Sequence, residues 1–178
     1  MVVDVDDRVL VPAAQAGDPD AFETLVRRYQ APVYRIALRM LHSSADADDV
    51  TQDTFVRAWR SLARFRGDSA VPTWLYRIVT RRCFDLLAAR RPTEVLDEDH
   101  IDAGADPAAT VEQRERLRAV VRHIAALPPD QRAALVLREF EGLSYEQVAQ
   151  VLETTVPAIK GRIHRARLAI LKETATWH

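Results

Sequence analysis

A single cysteine, Cys83, stands in the 178 residues, which excludes a disulfide framework and a cysteine-built zinc site and fits a reduced, cytoplasmic setting. Cys83 lies in an apolar helical pattern, where a small core residue is expected rather than a reactive thiol. Glycine is sparse, at five residues, and no Gly-rich phosphate loop occurs. No HExxH and no Ser or Cys nucleophile motif is present, and five scattered histidines do not make a metal site. The sequence therefore points away from an enzyme and away from any cofactor. No apolar run approaches the roughly 18 residues of a membrane span, and the N-terminus lacks a basic-then-apolar signal, so no membrane contact of its own is expected. No apolar–polar alternation is long enough for a strand, and no internal repeat is visible. Net charge is almost absent too, at −1. A neutral chain is a poor autonomous binder of DNA, because non-specific affinity comes mainly from phosphate neutralisation.

That small sum hides segregation. Arg64–Pro92 carries seven basic residues against two acidic, whereas Thr93–Glu112 carries seven acidic residues and no Lys or Arg. Basic blocks separated by an acidic block suggest two nucleic-acid surfaces with something different between them.

The most informative stretch runs from Leu143 to Arg167. It reads as two helices joined by a short turn. Gly142 suits a left-handed end to the preceding helix, and Ser144 with Gln147 forms a capping box for the next. Pro157 suits the first turn of the last helix. Ile159, Ile163, Ala166 and Ile170 then share one face, with Lys160, Gly161, His164 and Arg165 opposite and Arg162 and Arg167 flanking. A helix that packs on one side and is basic on the other is what a major-groove reader requires. An ordinary amphipathic surface helix has the same wheel; the tight turn and the Pro start favour the helix-turn-helix.

Upstream, Asp18-Pro19 opens a helix whose apolar positions run from Phe22 to Met40, with Pro32 marking a kink or a break. Ser43-Ser44 opens another, to about Arg64, in which Trp59 is expected in the core. Arg66–Pro72 is a loop by composition, and Thr73 is expected to cap a further helix to about Arg91. Arg91–Ala109 has no sustained periodicity and reads as a charge-extended linker. Helices resume near Pro107–Ala126, and Pro129 or Asp130 starts one that ends near Glu141. The expected fold is all-α, with two small helical domains at 12–91 and 110–174 joined by an acidic flexible linker at 92–109, the C-terminal domain holding the helix-turn-helix.

Three segments carry a family resemblance. Ala47-Asp48-Asp49-Val50-Thr51-Gln52-Asp53-Thr54-Phe55-Val56-Arg57-Ala58-Trp59, then Phe65–Ala70 with Thr73–Ile78, and finally Leu127-Pro128-Pro129-Asp130-Gln131-Arg132 through Arg167 together resemble the extracytoplasmic-function group of bacterial sigma factors. Their order and the linker between them match as well. The resemblance implies a protein that binds core RNA polymerase, melts the minus-ten element of promoter DNA and reads the minus-thirty-five element.

It also implies roles for residues. Asp49, Gln52 and Asp53 share a helix face by spacing, and the resemblance assigns them, with Arg57, to polymerase docking. Phe65, Arg66, Ser69, Trp74, Tyr76, Arg77 and Arg81 fall in the minus-ten segment, where cations beside aromatic rings suit single-stranded DNA. Core packing is the competing reading for Trp74 and Tyr76. Lys160, Gly161, Arg162, His164, Arg165 and Arg167 fall at the minus-thirty-five reader. Two positions depart from the family pattern: Arg81 stands where Asn is common, and Glu153 replaces a common turn Gly, which demands a negative-φ turn or some strain. The resemblance, together with the absence of a sensor domain, implies an anti-sigma factor as a partner. The competing function is a free-standing helix-turn-helix regulator, which leaves the N-terminal domain and the charge segregation unexplained.

Overall fold

The computed structural model describes residues 6–90 and 110–174; the expected acidic linker, 92–109, lies outside the described residues. Every described element is helical: α1 (Asp7–Gln15), α2 (Pro19–Leu41), α3 (Ser44–Ser61), α4 (Val71–Ala89), α5 (Val111–Ala126), α6 (Pro129–Leu135), α7 (Tyr145–Val151) and α8 (Val156–Thr174). A 3-10 turn at Leu62–Arg64 extends α3, and a π-helical turn at Val136–Phe140 extends α6.

Local chemistry sets most of the boundaries. Asp18 caps α2 through Asp20 N–H at 2.9 Å, with Pro19 at the first helical position. Ser43 caps α3 through Asp46 N–H, and Ser144 with Gln147 closes the expected capping box on α7. Thr110 and Gln113 form a second such box on α5. Gly142 adopts φ +70° before α7, a conformation open to a residue without Cβ. Pro32 neither ends nor divides α2, which runs unbroken for 23 residues.

Three expectations need correcting. Helix α1 was not foreseen; it begins at Asp7, ahead of the expected domain start at 12, and is held by Asp7 against Arg28 and Tyr29. Thr73 is not a cap. Helix α4 starts three residues earlier, after Ala70, and Thr73 is buried inside it, because Pro72 takes a first-turn position where its missing N–H is no loss. Trp59 is not a core residue: it is 46% exposed, with Phe22 edge-on at 4.8 Å.

The N-terminal helices α1–α4 bury Val33, Ile36, Met40, Leu75, Val79 and Cys83. Burial pushes the Cys83 thiol up to about 12, so it packs as an apolar side chain. A single apolar cluster continues from these residues into Leu137, Val148, Val151, Ile159 and Ile163 of the C-terminal half. The two halves therefore lie directly against each other. Arg132, 6% exposed, crosses the boundary: its Nη1 donates to Met40 O of α2, while Nη2 donates to Ala125 O and Leu127 O of its own half. Glu141 receives Arg35 at 3.2 Å and Arg39 at 3.1 Å from α2, and the Arg39 guanidinium lies 4.7 Å from the Phe140 ring centroid.

Candidate nucleic-acid interface

The recognition helix divides as its wheel demands. Ile159, Ile163 and Ala166 are buried at 0–1% exposure, and Ile170 packs against a smaller cluster of Ile124, Leu127 and Leu135. Lys160, His164 and Arg165 are exposed on the other side. Gly161 has a specific consequence there. A Cβ at this position would meet Arg165 Nη1 at 3.3 Å, so the missing side chain lets the guanidinium lie back along the helix. Arg162 and Arg167 differ from their neighbours. Arg162, half-buried, pairs with Asp130 of α6 at 3.1 Å, and Arg167 pairs with Glu139; both brace α8 against the preceding elements. Lys160 also sits 5.3 Å from the Tyr145 ring centroid, which steadies an otherwise flexible cation.

The basic segment of the first half lies around the start of α4. Gln15 of α1 donates to Leu62 O at 2.9 Å and Phe65 O at 2.7 Å, fixing the entry to the Arg66–Ala70 loop. Phe65 stacks on Trp74 with centroids 4.6 Å apart. Both rings are half-buried, while Arg66 is exposed and Ser69 partly so. Tyr76 departs from its expected place among them. It is 8% exposed and belongs to the core, and burial, reinforced by Glu141, holds its phenol above the ordinary range. Its helical phase turns it inward, so its ring is closed to a base. Arg77 and Arg81 emerge on the outer side of α4. Arg64, the first cation of the basic block, and Arg60, which lies just before it, join Arg81 and Arg82 around a surface cavity of about 450 Å³ that Asp53 and Asp85 also line. The only signal for Arg60 was an arginine at the end of α3.

On α3, Asp49 and Gln52 are exposed side by side. Asp53 shares their face, but its carboxylate turns inward: Oδ2 accepts Arg57 Nε at 2.8 Å and Arg82 Nε of α4. Partial burial works to raise its pKa, yet the hydrogen bonds from Arg57 and Arg82 outweigh that and hold it below the ordinary value. Arg57 and Asp53 thus form a local pair that ties α3 to α4, leaving Asp49 and Gln52 as the outward polar groups.

The two basic surfaces also meet. Arg77 donates to Gln150 O at 3.1 Å, and Arg81 pairs with Glu153 in the turn between α7 and α8. Glu153 adopts φ +51°, so the turn takes the strained alternative of the two expected for a residue with a Cβ.

Residues 25–93 match the family model described as Sigma-70 region 2, and residues 117–170 match Sigma-70, region 4. The chain is 40% identical to the RNA polymerase sigma-H factor of Pseudomonas aeruginosa over 184 residues, covering 97% of this chain and 95% of that one. It is also 40% identical to the ECF RNA polymerase sigma-E factor of Escherichia coli K12 over 176 residues, covering 92% of each. Among solved structures it is similar to CnrH in complex with the cytosolic domain of CnrY, with a TM-score of 0.75, 31% identity and coverage of 97% of this chain and 99% of that one.

Proposed function

The chain belongs to the extracytoplasmic-function family of sigma factors, and on that premise we propose how its surfaces divide the work of starting transcription. A sigma factor is a non-catalytic subunit that binds core RNA polymerase and directs it to promoter DNA. In this one, Asp49 and Gln52 dock on a basic surface of the polymerase, while Asp53 and Arg57 hold α3 in register for that contact. Phe65, Arg66, Ser69, Trp74, Arg77 and Arg81 engage the minus-ten element as it opens, the rings stacking with bases and the guanidinium groups meeting phosphates. Lys160, Gly161, His164 and Arg165 enter the major groove at the minus-thirty-five element, with Arg162 and Arg167 holding the helix to its scaffold. The protein works in the cytoplasm beside its polymerase. An anti-sigma factor holds it inactive; the complex of the 31%-identical CnrH with the cytosolic domain of CnrY supports that reading.

The single observation that carries this assignment is the split face of α8: three apolar side chains sealed at 0–1% exposure and Lys160, His164 and Arg165 left outward on the opposite side. Selection from a promoter library randomised in both elements, using reconstituted holoenzyme, tests it. Arg165→Ala should relax preference in the upstream element only, by about 1–3 kcal/mol at one base pair if the guanidinium contacts guanine. Arg81→Asn should alter downstream preference only. Crossed effects would end the two-surface assignment.

A further inference from the structure

Glu153 occupies an unusual position for a side chain. Its φ of +51° lies in the left-handed region, and a glycine there would relieve the strain. An observed backbone outlier invites a functional explanation, and the contacts of this one supply it. The Glu153 carboxylate reaches across from the helix-turn-helix turn to α4: Oε2 accepts from Arg81, and Oε1 lies 3.9 Å from Arg77 Nε. One turn earlier in the same motif, the Gln150 carbonyl accepts from Arg77 at 3.1 Å. A carboxylate thus takes Arg81, and a carbonyl takes Nη2 of Arg77, whose Nε is buried without a hydrogen-bond partner.

We propose that Glu153 is an internal competitor for DNA, an acidic latch by which the turn of the helix-turn-helix pairs with Arg77 and Arg81 in the free chain. A carboxylate beside guanidinium groups makes the same charge-assisted bonds that a phosphate would make. While the latch is closed, two cations of the second basic surface are paired to the element that carries the first, and the two surfaces cannot separate to span a promoter. The pair is exposed, with Arg81 at 61% and Glu153 at 48% side-chain exposure, so the latch is weak and readily displaced. That suits a contact which must yield when polymerase draws the halves apart. The consequence for DNA rests on the proposed minus-ten role of Arg77 and Arg81; the latch does not.

The test uses the full chain without polymerase, carrying Gln30→Cys and Arg118→Cys for donor and acceptor dyes. Cys83 is buried and stays unlabelled. Single-molecule transfer efficiency reports the separation of the halves. Glu153→Gln should increase the ratio of open to closed chains about two- to fivefold, and raised salt should mimic it. Arg81→Gln should open the chain by a similar factor, and the double variant should open it no further than either single, since partners in one contact are not additive. Unchanged efficiencies in Glu153→Gln, or additive effects in the double variant, would overturn the latch. Fluorescence anisotropy with a single-stranded minus-ten oligonucleotide provides the second readout, with tighter binding by Glu153→Gln expected. Opening without a gain in oligonucleotide affinity would uphold the latch and remove Arg77 and Arg81 from the DNA surface.

Discussion

His42 ends α2 in a left-handed conformation, φ 52°, with its N–H on Leu38 O at 2.8 Å. Its Nε2 is buried without a hydrogen-bond partner. Burial, with the positive charges of Arg132 and Arg90 nearby, depresses its pKa to about 4. Of these two cations, Arg90 is itself paired with Asp46. The folded chain therefore binds the His42 proton less readily than the unfolded chain does. The resulting stability is present in full above pH 6.5 and is lost as pH falls towards 4, on the order of 3 kcal/mol in all. Urea midpoints measured from pH 7.5 to 5 should fall for the parent protein and fall less for His42→Asn, which tolerates the left-handed backbone; identical slopes would clear His42 of the effect. Nothing adjacent in sequence announces this cluster. His42, Arg90 and Arg132 are far apart along the chain and acquire their environment only when α2, α4 and α6 converge.

Helix α3 carries its polar face in its spacing, and that face was legible. What spacing could not reveal is which acidic group points outward. Asp53 is satisfied by Arg57 and Arg82, and Arg82 lies on another helix. Reversing Asp53 would break a tie between α3 and α4, whereas reversing Asp49 should spare it. Asp49→Arg is expected to weaken holoenzyme assembly tenfold or more, on the order of 1.4 kcal/mol or above for misplaced charge at an interface, with circular dichroism and thermal midpoint unchanged. Undiminished co-purification with core polymerase would show that docking lies elsewhere. Helix α8 was legible for the same reason as α3: its buried and basic faces follow a local period. Helix α1 was not, because Pro12 stands inside it and its apolar stripe is short, although Asp6 caps it through Arg8 N–H. Trp59 was misplaced because aromatic size predicts burial on average, whereas it lies half out of the fold with Phe22 edge-on against it.

Across the whole molecule, the division into two helical units was readable from the change in composition near residue 92, but their direct contact was not. Arg132 to Met40 and Arg35 and Arg39 to Glu141 join positions about a hundred residues apart, and no local pattern encodes such pairs. This contact and the near-zero net charge have the same effect on DNA. The free chain should bind duplex promoter weakly and with little discrimination, while the holoenzyme binds tightly, because polymerase holds both surfaces at one spacing and converts two weak contacts into a linked pair. Gel shifts at matched salt should show at least a hundredfold difference, roughly the lower end of what linkage supplies. Equal affinities would favour a free-standing regulator.

The seam between the halves is partly apolar, since Leu137, Val148 and Ile159 share one cluster with Val33, Met40 and Val79. The opening proposed for the latch would wet that seam. Hydrating apolar surface raises heat capacity, so assembly carries a positive contribution against the negative one from the new interface. Apolar burial also weakens on cooling. On the proposed opening, a cold cell should hold a larger share of chains already parted and a warm one a larger share folded back on themselves, giving the readiness of this factor to engage polymerase a temperature dependence written into its own seam.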